Sequence, residues 1–308
     1  MGHDHGAHGA AAMSSGRAHR RRLVAALALS ATVMVVEVIG AILTDSLALL
    51  ADAGHMLTDV AGVSLAIAAV TFAARPATSA RTFGYYRLEI FAAVLNAVLL
   101  LGVAIFIAIE AWHRWSEPPQ VRGGLMLVFA IVGLLANLAA MAILRAGAKE
   151  SLNVKGAYLE VFSDALGSIA AIVAAIVIAA TGWDRADVIA SVLVAAMILP
   201  RTWSLLREAV DVLLEAVPKG VDVADLRDHL RGVPGVLDVH DLHVWTLTSG
   251  MPVMSAHIVV SDAVIADGAT GPVLDQLGEC LEHHFDVRHC TFQIEPLGHA
   301  DHEHPTHA

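Results

Sequence analysis

The chain is short of charge. Only 16% of its 308 residues are Asp, Glu, Lys or Arg, against about 25% in an average soluble domain. The shortage is local, because apolar residues run in stretches long enough to cross a bilayer. Hydrophobic residues make up 56% of the chain, and mean hydropathy is +0.65. An integral membrane protein is therefore the leading class. Basic residues are also scarce: 19 Lys and Arg stand against 30 Asp and Glu, net −11, so no nucleic-acid partner is expected. The two cysteines, Cys280 and Cys290, cannot build a disulfide framework. Buried thiols, extra metal ligands and a pair are the open readings. The N-terminal stretch lacks the apolar core and small-residue cleavage site of a secretory signal.

What is present falls into four parts. Residues 1–22 are polar and His-rich and predict a disordered cytosolic tail. Residues 23–207 hold six apolar spans, at about 23–43, 47–74, 90–111, 125–144, 157–180 and 187–206, the last interrupted at Pro200. Each is close to the roughly 20 residues a helix needs to cross the hydrocarbon core. Residues 208–296 are richer in charge and read as a small soluble domain. Helices are predicted at 222–231 and 272–284, and strands at 236–249, 252–261 and 289–295, with Ser249-Gly250 as a hairpin turn. That order suits helices on one face of a small sheet, an open α+β sandwich. Residues 297–308 form a second His-rich tail. Both tails read as flexible metal-collecting or merely surface segments.

Twelve Lys and Arg fall on one side of the spans (Arg17 to Arg22, Arg75 to Arg87, Arg145 to Lys155, Arg201 and Arg207) and three on the other (Arg114, Arg122, Arg185). The positive-inside rule then puts both termini in the cytosol. Trp112, Trp115, Trp183 and Trp203 lie near span ends, as interfacial anchors do.

Ionisable side chains inside spans cost several kcal/mol unless paired, hydrated or metal-bound. Glu37, Asp52, His55, Asp59, Glu110, Glu160 and Asp164 are the ones present at or near membrane depth. His55 and Asp59 are four apart, and so are Glu160 and Asp164, so each pair lies on one helix face. Two such faces brought together offer four N and O ligands, the number and type that Zn²⁺ takes in a tetrahedral site. Small residues around them, including Ala51, Gly54, Gly156 and Gly167, would let the two backbones approach. Isolated interhelical hydrogen bonds are the plainer reading of any one of these groups, but they explain two matched pairs poorly. Asp45 reads as a helix cap and Asp52 as an acceptor that could orient a ligand. Asn96 and Asn137 read as interhelical hydrogen-bond partners.

The stretches TDSLALLADAGHMLTD, RTFGYYRLEI, NVKGAYLEVFSDALGS and HDLHVWTLTSG resemble the cation diffusion facilitator family, in particular its bacterial cobalt–zinc–cadmium resistance branch. The resemblance runs from about residue 23 to 296. It implies an inner-membrane homodimer with six transmembrane helices and a cytosolic ferredoxin-like α+β domain. It implies efflux of Zn²⁺, with Co²⁺ or Cd²⁺ as further cargo, in exchange for protons by alternating access. It places the transport site on His55, Asp59, Glu160 and Asp164, and a structural or regulatory metal on His240, His257 and Glu295. Many zinc-selective members carry His where this chain has Glu160. One imidazole with three carboxylates leaves excess negative charge, and a proton of the Glu160–Asp164 pair is expected to leave as metal binds. A harder oxygen-rich site is also expected to be less selective among metals. His240 and His243, three apart, are expected on opposite faces of a regular strand. For His243, His283, His284 and His289 a solvated role competes with coordination.

Two other classes remain. A membrane metalloenzyme needs an open coordination position and a general base, and no HExxH helix or GxSxG elbow is present. A non-transporting metal sensor or scaffold would use the soluble domain alone.

Overall fold

The computed structural model describes residues 5–149, 151–287 and 289–299, with side chains from residue 21 onward except those of 152 and 153. Six long helices come first: α1 (His5–Thr44), α2 (Leu47–Ala73), α3 (Leu88–Ser116), α4 (Gly123–Arg145), α5 (Leu152–Thr181) and α6 (Arg185–Leu213). Each contains a segment long and apolar enough to span a membrane. The sequence predicts disorder over residues 1–22, yet α1 continues back to His5. Lengthening a helix that is already nucleated costs only propagation, and Ala10, Ala11 and Ala12 are strong helix formers. The metal-collecting role expected of the tails falls largely outside the described residues. Pro200 does not end α6, which runs on to Leu213, so the boundary expected near residue 207 lies inside a helix.

The chain divides into two compact units. The first comprises the chain up to residue 65 together with 95–206, and the second comprises 66–94 and the chain from 207 onward. In the first unit, α4 packs against both α1 and α5. Small residues set the closeness: a Cβ on Gly40 of α1 would lie 2.6 Å from the Phe129 ring of α4. Ala48 and Leu49 of α2 share a buried cluster with Ala171, Ala174 and Ala175 of α5. The other side of α2, at Leu47 and Ala51, packs with Leu100 and Ile107 of α3 and Val188 and Val194 of α6.

The second unit holds α7 (Val223–Arg231), β1 (Val236–Thr248), β2 (Met251–Val260), α8 (Asp262–Ala266), α9 (Thr270–Phe285) and β3 (His289–Pro296). The predicted α-β-β-α-β order stands, with the five-residue α8 added. The sheet order is β1-β2-β3, β1 antiparallel and β3 parallel to β2. Gly250 supplies the left-handed residue (φ 71°) of the predicted hairpin turn. Leu226, Leu230, Leu277 and Leu281 from the helices meet Val239, Met254 and Ile258 from the sheet in one core, the two-layer arrangement expected of an amphipathic sheet covered on one face. The α2–α3 connection belongs to this unit. Arg87 Nη2 lies 2.6 Å from Glu215 Oε1, Thr248 Oγ1 donates to Glu89, and the Phe83 and His289 rings meet edge-on at 5.4 Å.

Candidate metal centres

In the helical unit α2 brings His55 and Asp59 to one face, and α5 presents Asp164 to them. His55 Nε2 lies 3.5 Å from Asp59 Oδ2 and 3.6 Å from Asp164 Oδ1. One ligand atom from each of the three falls within 4.8 Å of the others. His55 and Asp164 are 6% and 3% exposed, so these groups have left bulk water. Charges so placed demand a partner, and Asp164 Oδ1 and His55 Nδ1 have no hydrogen-bond partner among the described residues.

Glu160 stands apart from this group of three. It lies one turn before Asp164 on α5, as the spacing predicts, and its carboxylate is within hydrogen-bonding reach of Asp59. Its Oε1, however, pairs with Arg201 Nη2 of α6 at 2.9 Å. The sequence reads Arg201, at the end of a span, as an ordinary boundary charge, and carries no signal for this pairing.

A second buried polar group lies alongside. Glu37 of α1 and Asp52 of α2 are 0% and 1% exposed. Gly133 and Gly167 make room for them: a Cβ would lie 2.4 Å from Glu37 Oε1 at the first and 2.9 Å from Asp52 Oδ1 at the second. Asp52 thus faces α5 and Glu37 and leaves His55 Nδ1 unpartnered, so the ligand-orienting role expected of it is not seen. Asn137 of α4 donates to Ser168 Oγ of α5 at 3.3 Å, the interhelical bond expected of it. Asn96 packs on Gly62. The cap expected of Asp45 belongs to Asp187 of α6. Its carboxylate accepts from Leu47 N at 2.6 Å and Ala48 N at 3.1 Å, while the Asp45 carbonyl accepts from Arg114.

In the C-terminal domain His240 of β1, His257 of β2 and Glu295 of β3 converge. Glu295 Oε2 is 3.0 Å from His240 Nε2, and Glu295 Oε1 is 2.8 Å from His257 Nδ1. Their ligand atoms lie within 4.8 Å of one another. Pairing of His240 with His257 in the antiparallel ladder puts both imidazoles on one face, and parallel β3 delivers Glu295 beside them. Burial would raise the Glu295 carboxyl. Hydrogen bonds from Gln293 and His240 and the charge of His257 outweigh that, so it sits below the usual carboxylate range and is anionic at neutral pH. Two imidazoles and a carboxylate are a donor set that fits Zn²⁺.

The opposite-face expectation for His240 and His243 fails. Between them β1 gains one residue on its partner, His240 pairing with His257 and His243 with Ser255. Two residues apart on β2 share a face, so the bulge returns His243 to the His240 side. Asp241, held at φ 46°, makes the bulge. Its Oδ1 lies 3.0 Å from His243 Nε2 and its Oδ2 lies 3.6 Å from His257 Nε2. A sequence alternation rule carries no signal for such a bulge. His283 and His284 lie on α9, where each Nδ1 meets the carbonyl four residues back, and His289 packs on Phe83.

Comparison with known proteins bears on both units. Residues 23–214 match the family described as cation efflux transmembrane domain, and residues 218–297 match the cation efflux protein cytoplasmic domain. The chain is 47% identical to the metal cation efflux system protein CzcD of Cupriavidus metallidurans over 92% of this chain and 90% of that protein. It is 44% identical to the zinc transporter ZitB of Escherichia coli, over 89% and 87%. It is 38% identical to the cadmium, cobalt and zinc/H(+)-K(+) antiporter of Bacillus subtilis, over 97% and 93%. With six spanning helices, the buried ligand cluster and both domains matched end to end, the chain belongs to the cation diffusion facilitator family of membrane cation efflux transporters.

Proposed function

We propose that this protein exports a divalent transition metal, Zn²⁺ first and Co²⁺ or Cd²⁺ as further cargo, in exchange for protons. The observation that carries the reading is the buried meeting of His55, Asp59 and Asp164 across α2 and α5. Such a group offers imidazole and carboxylate ligands in a place where an unpaired charge is costly, and Glu160 stands one turn away as a fourth candidate. Metal enters from the cytosolic side, sheds water and binds these side chains. Rearrangement of the helices then exposes the site outward, and protons compete for the same nitrogen and oxygen lone pairs. The relatives named for zinc, cadmium, cobalt and proton exchange support the cargo and its counter-ion.

The excess of Lys and Arg on one set of connections supports an inner-membrane protein with cytosolic termini. The C-terminal domain matches a family named for a cytoplasmic domain, which supports a cytosolic domain that joins two copies into a homodimer. His240, His257 and Glu295 would hold a structural or regulatory metal there. The test is uptake of Zn²⁺, Co²⁺, Cd²⁺ and Mn²⁺ into proteoliposomes under a proton gradient, by wild type and Asp164→Ala. Saturable Zn²⁺ flux that Asp164→Ala abolishes is expected. Tight binding with zero flux in the wild type would instead favour a non-transporting sensor.

A further inference from the structure

We infer that Arg201 is a built-in counter-cation of the transport site, holding Glu160 at the rim and competing with incoming metal for it. The inference rests on the reading of His55, Asp59, Glu160 and Asp164 as that site.

Glu160 lies between two partners. Its Oε1 is 2.9 Å from Arg201 Nη2, and its carboxylate approaches Asp59. Glu160 in turn lies one helical turn from Asp164, so the guanidinium is attached to the member of the set that borders the buried ligands. The side chains of Glu160 and Arg201 are 27% and 58% exposed, against 7% for His55 and 4% for Asp164. The ion pair therefore lies at the edge of the cluster, less enclosed by protein than His55 and Asp164.

Charge balance explains why an arginine belongs there. Two imidazoles and two carboxylates would be neutralised by one divalent ion with no further help. Here one imidazole and three carboxylates, those of Asp59, Glu160 and Asp164, would carry three negative charges once metal has displaced their protons. The Arg201 guanidinium cancels one, and a divalent ion cancels the other two. Without the arginine the carboxylates would have no internal cation before metal arrives, and an incoming divalent ion would be drawn to them more strongly. Arg201 thus offsets the third carboxylate of the set, that of Glu160. Its position also suits a movable part. Pro200 immediately precedes it inside α6 and withholds an N–H from the helix ladder, a point at which helices bend.

A counter-cation that competes with cargo weakens binding and speeds release. In proteoliposomes containing the full-length protein, Arg201→Gln should lower KM for Zn²⁺ by about threefold and also lower kcat, the modest factor expected of a partly solvent-screened ion pair. Arg201→Lys, which keeps the charge, should stay close to wild type. Glu160→His should raise KM, because the guanidinium then faces metal with no carboxylate to offset it. Adding Arg201→Gln to Glu160→His should bring KM back near the wild-type value. A purely structural arginine predicts lower kcat with no tightening in Arg201→Gln and no rescue in the double variant, and either result overturns the inference. Asp164→Ala separates the two ideas: if it transports like wild type, the site assignment fails, whatever Arg201 does.

Discussion

Asp187 accepts hydrogen bonds from Ser46 Oγ and from the first two amides of α2 while it sits in the first turn of α6. It caps one helix from another, and at 1% exposure no water can take over. Removing a buried acceptor leaves its donors unsatisfied at about 1–3 kcal/mol, so Asp187→Ala should lower the melting temperature of the detergent-solubilised protein. The melting curve should shift even where the metal ligands are untouched. Gly133 makes a second residue-scale case. Its missing Cβ leaves room for Glu37 Oε1, and a methyl group there would sit at 2.4 Å. Gly133→Ala should destabilise by about 1–3 kcal/mol, the usual cost of overpacking. Gly102→Ala, with open space at its Cβ position, should melt at or slightly above the wild-type temperature.

At the scale of elements, the four-residue spacing of His55 with Asp59 and of Glu160 with Asp164 was readable because the α-helical period is nearly invariant. Regular strands are equally readable, but β1 is not regular. Its bulge at Asp241 adds one residue and reverses the face of the residues that follow, as far as a further register shift between Thr246 and Thr248. Asp241 adopts a left-handed φ of 46°, a conformation that short polar side chains tolerate and β-branched ones do not. Asp241→Val should therefore strain the bulge and weaken metal binding by the C-terminal domain, whereas Asp241→Asn should retain the backbone. Hydrogen exchange across residues 236–248, with and without Zn²⁺, distinguishes the two. The helix α7 was readable for a different reason: Asp222 caps it by accepting from Ala224 N and Asp225 N, a signal local to four residues. Asp222→Ala should cost about 1 kcal/mol, seen as faster exchange in α7.

At the scale of the whole molecule two candidate metal-binding groups are carried by two separate units, one of helices and one built on a sheet. Each should respond to metal independently. Zn²⁺ at about a hundred times its Kd stabilises a binding-competent state by about 2.7 kcal/mol. Slowed hydrogen exchange in β1 and β2 on Zn²⁺ addition should disappear in His257→Ala and persist in Asp164→Ala. A single shared response would contradict this division. The membrane class, the six spans, the α+β domain and the two four-apart pairs His55/Asp59 and Glu160/Asp164 are read from the sequence by itself, and the structure gathers three of those four side chains. Length, hydropathy and helical period are local properties that every chain segment carries with it. What the tertiary structure decided is where side chains meet across elements: Glu160 with Arg201, Asp187 with the start of α2, Asp241 between His243 and His257. Those meetings depend on helix rotation, on a glycine at each close approach and on one extra residue in a strand. No periodicity records any of them, because a contact between residues far apart in the chain is fixed by packing and charge only once both elements are in place.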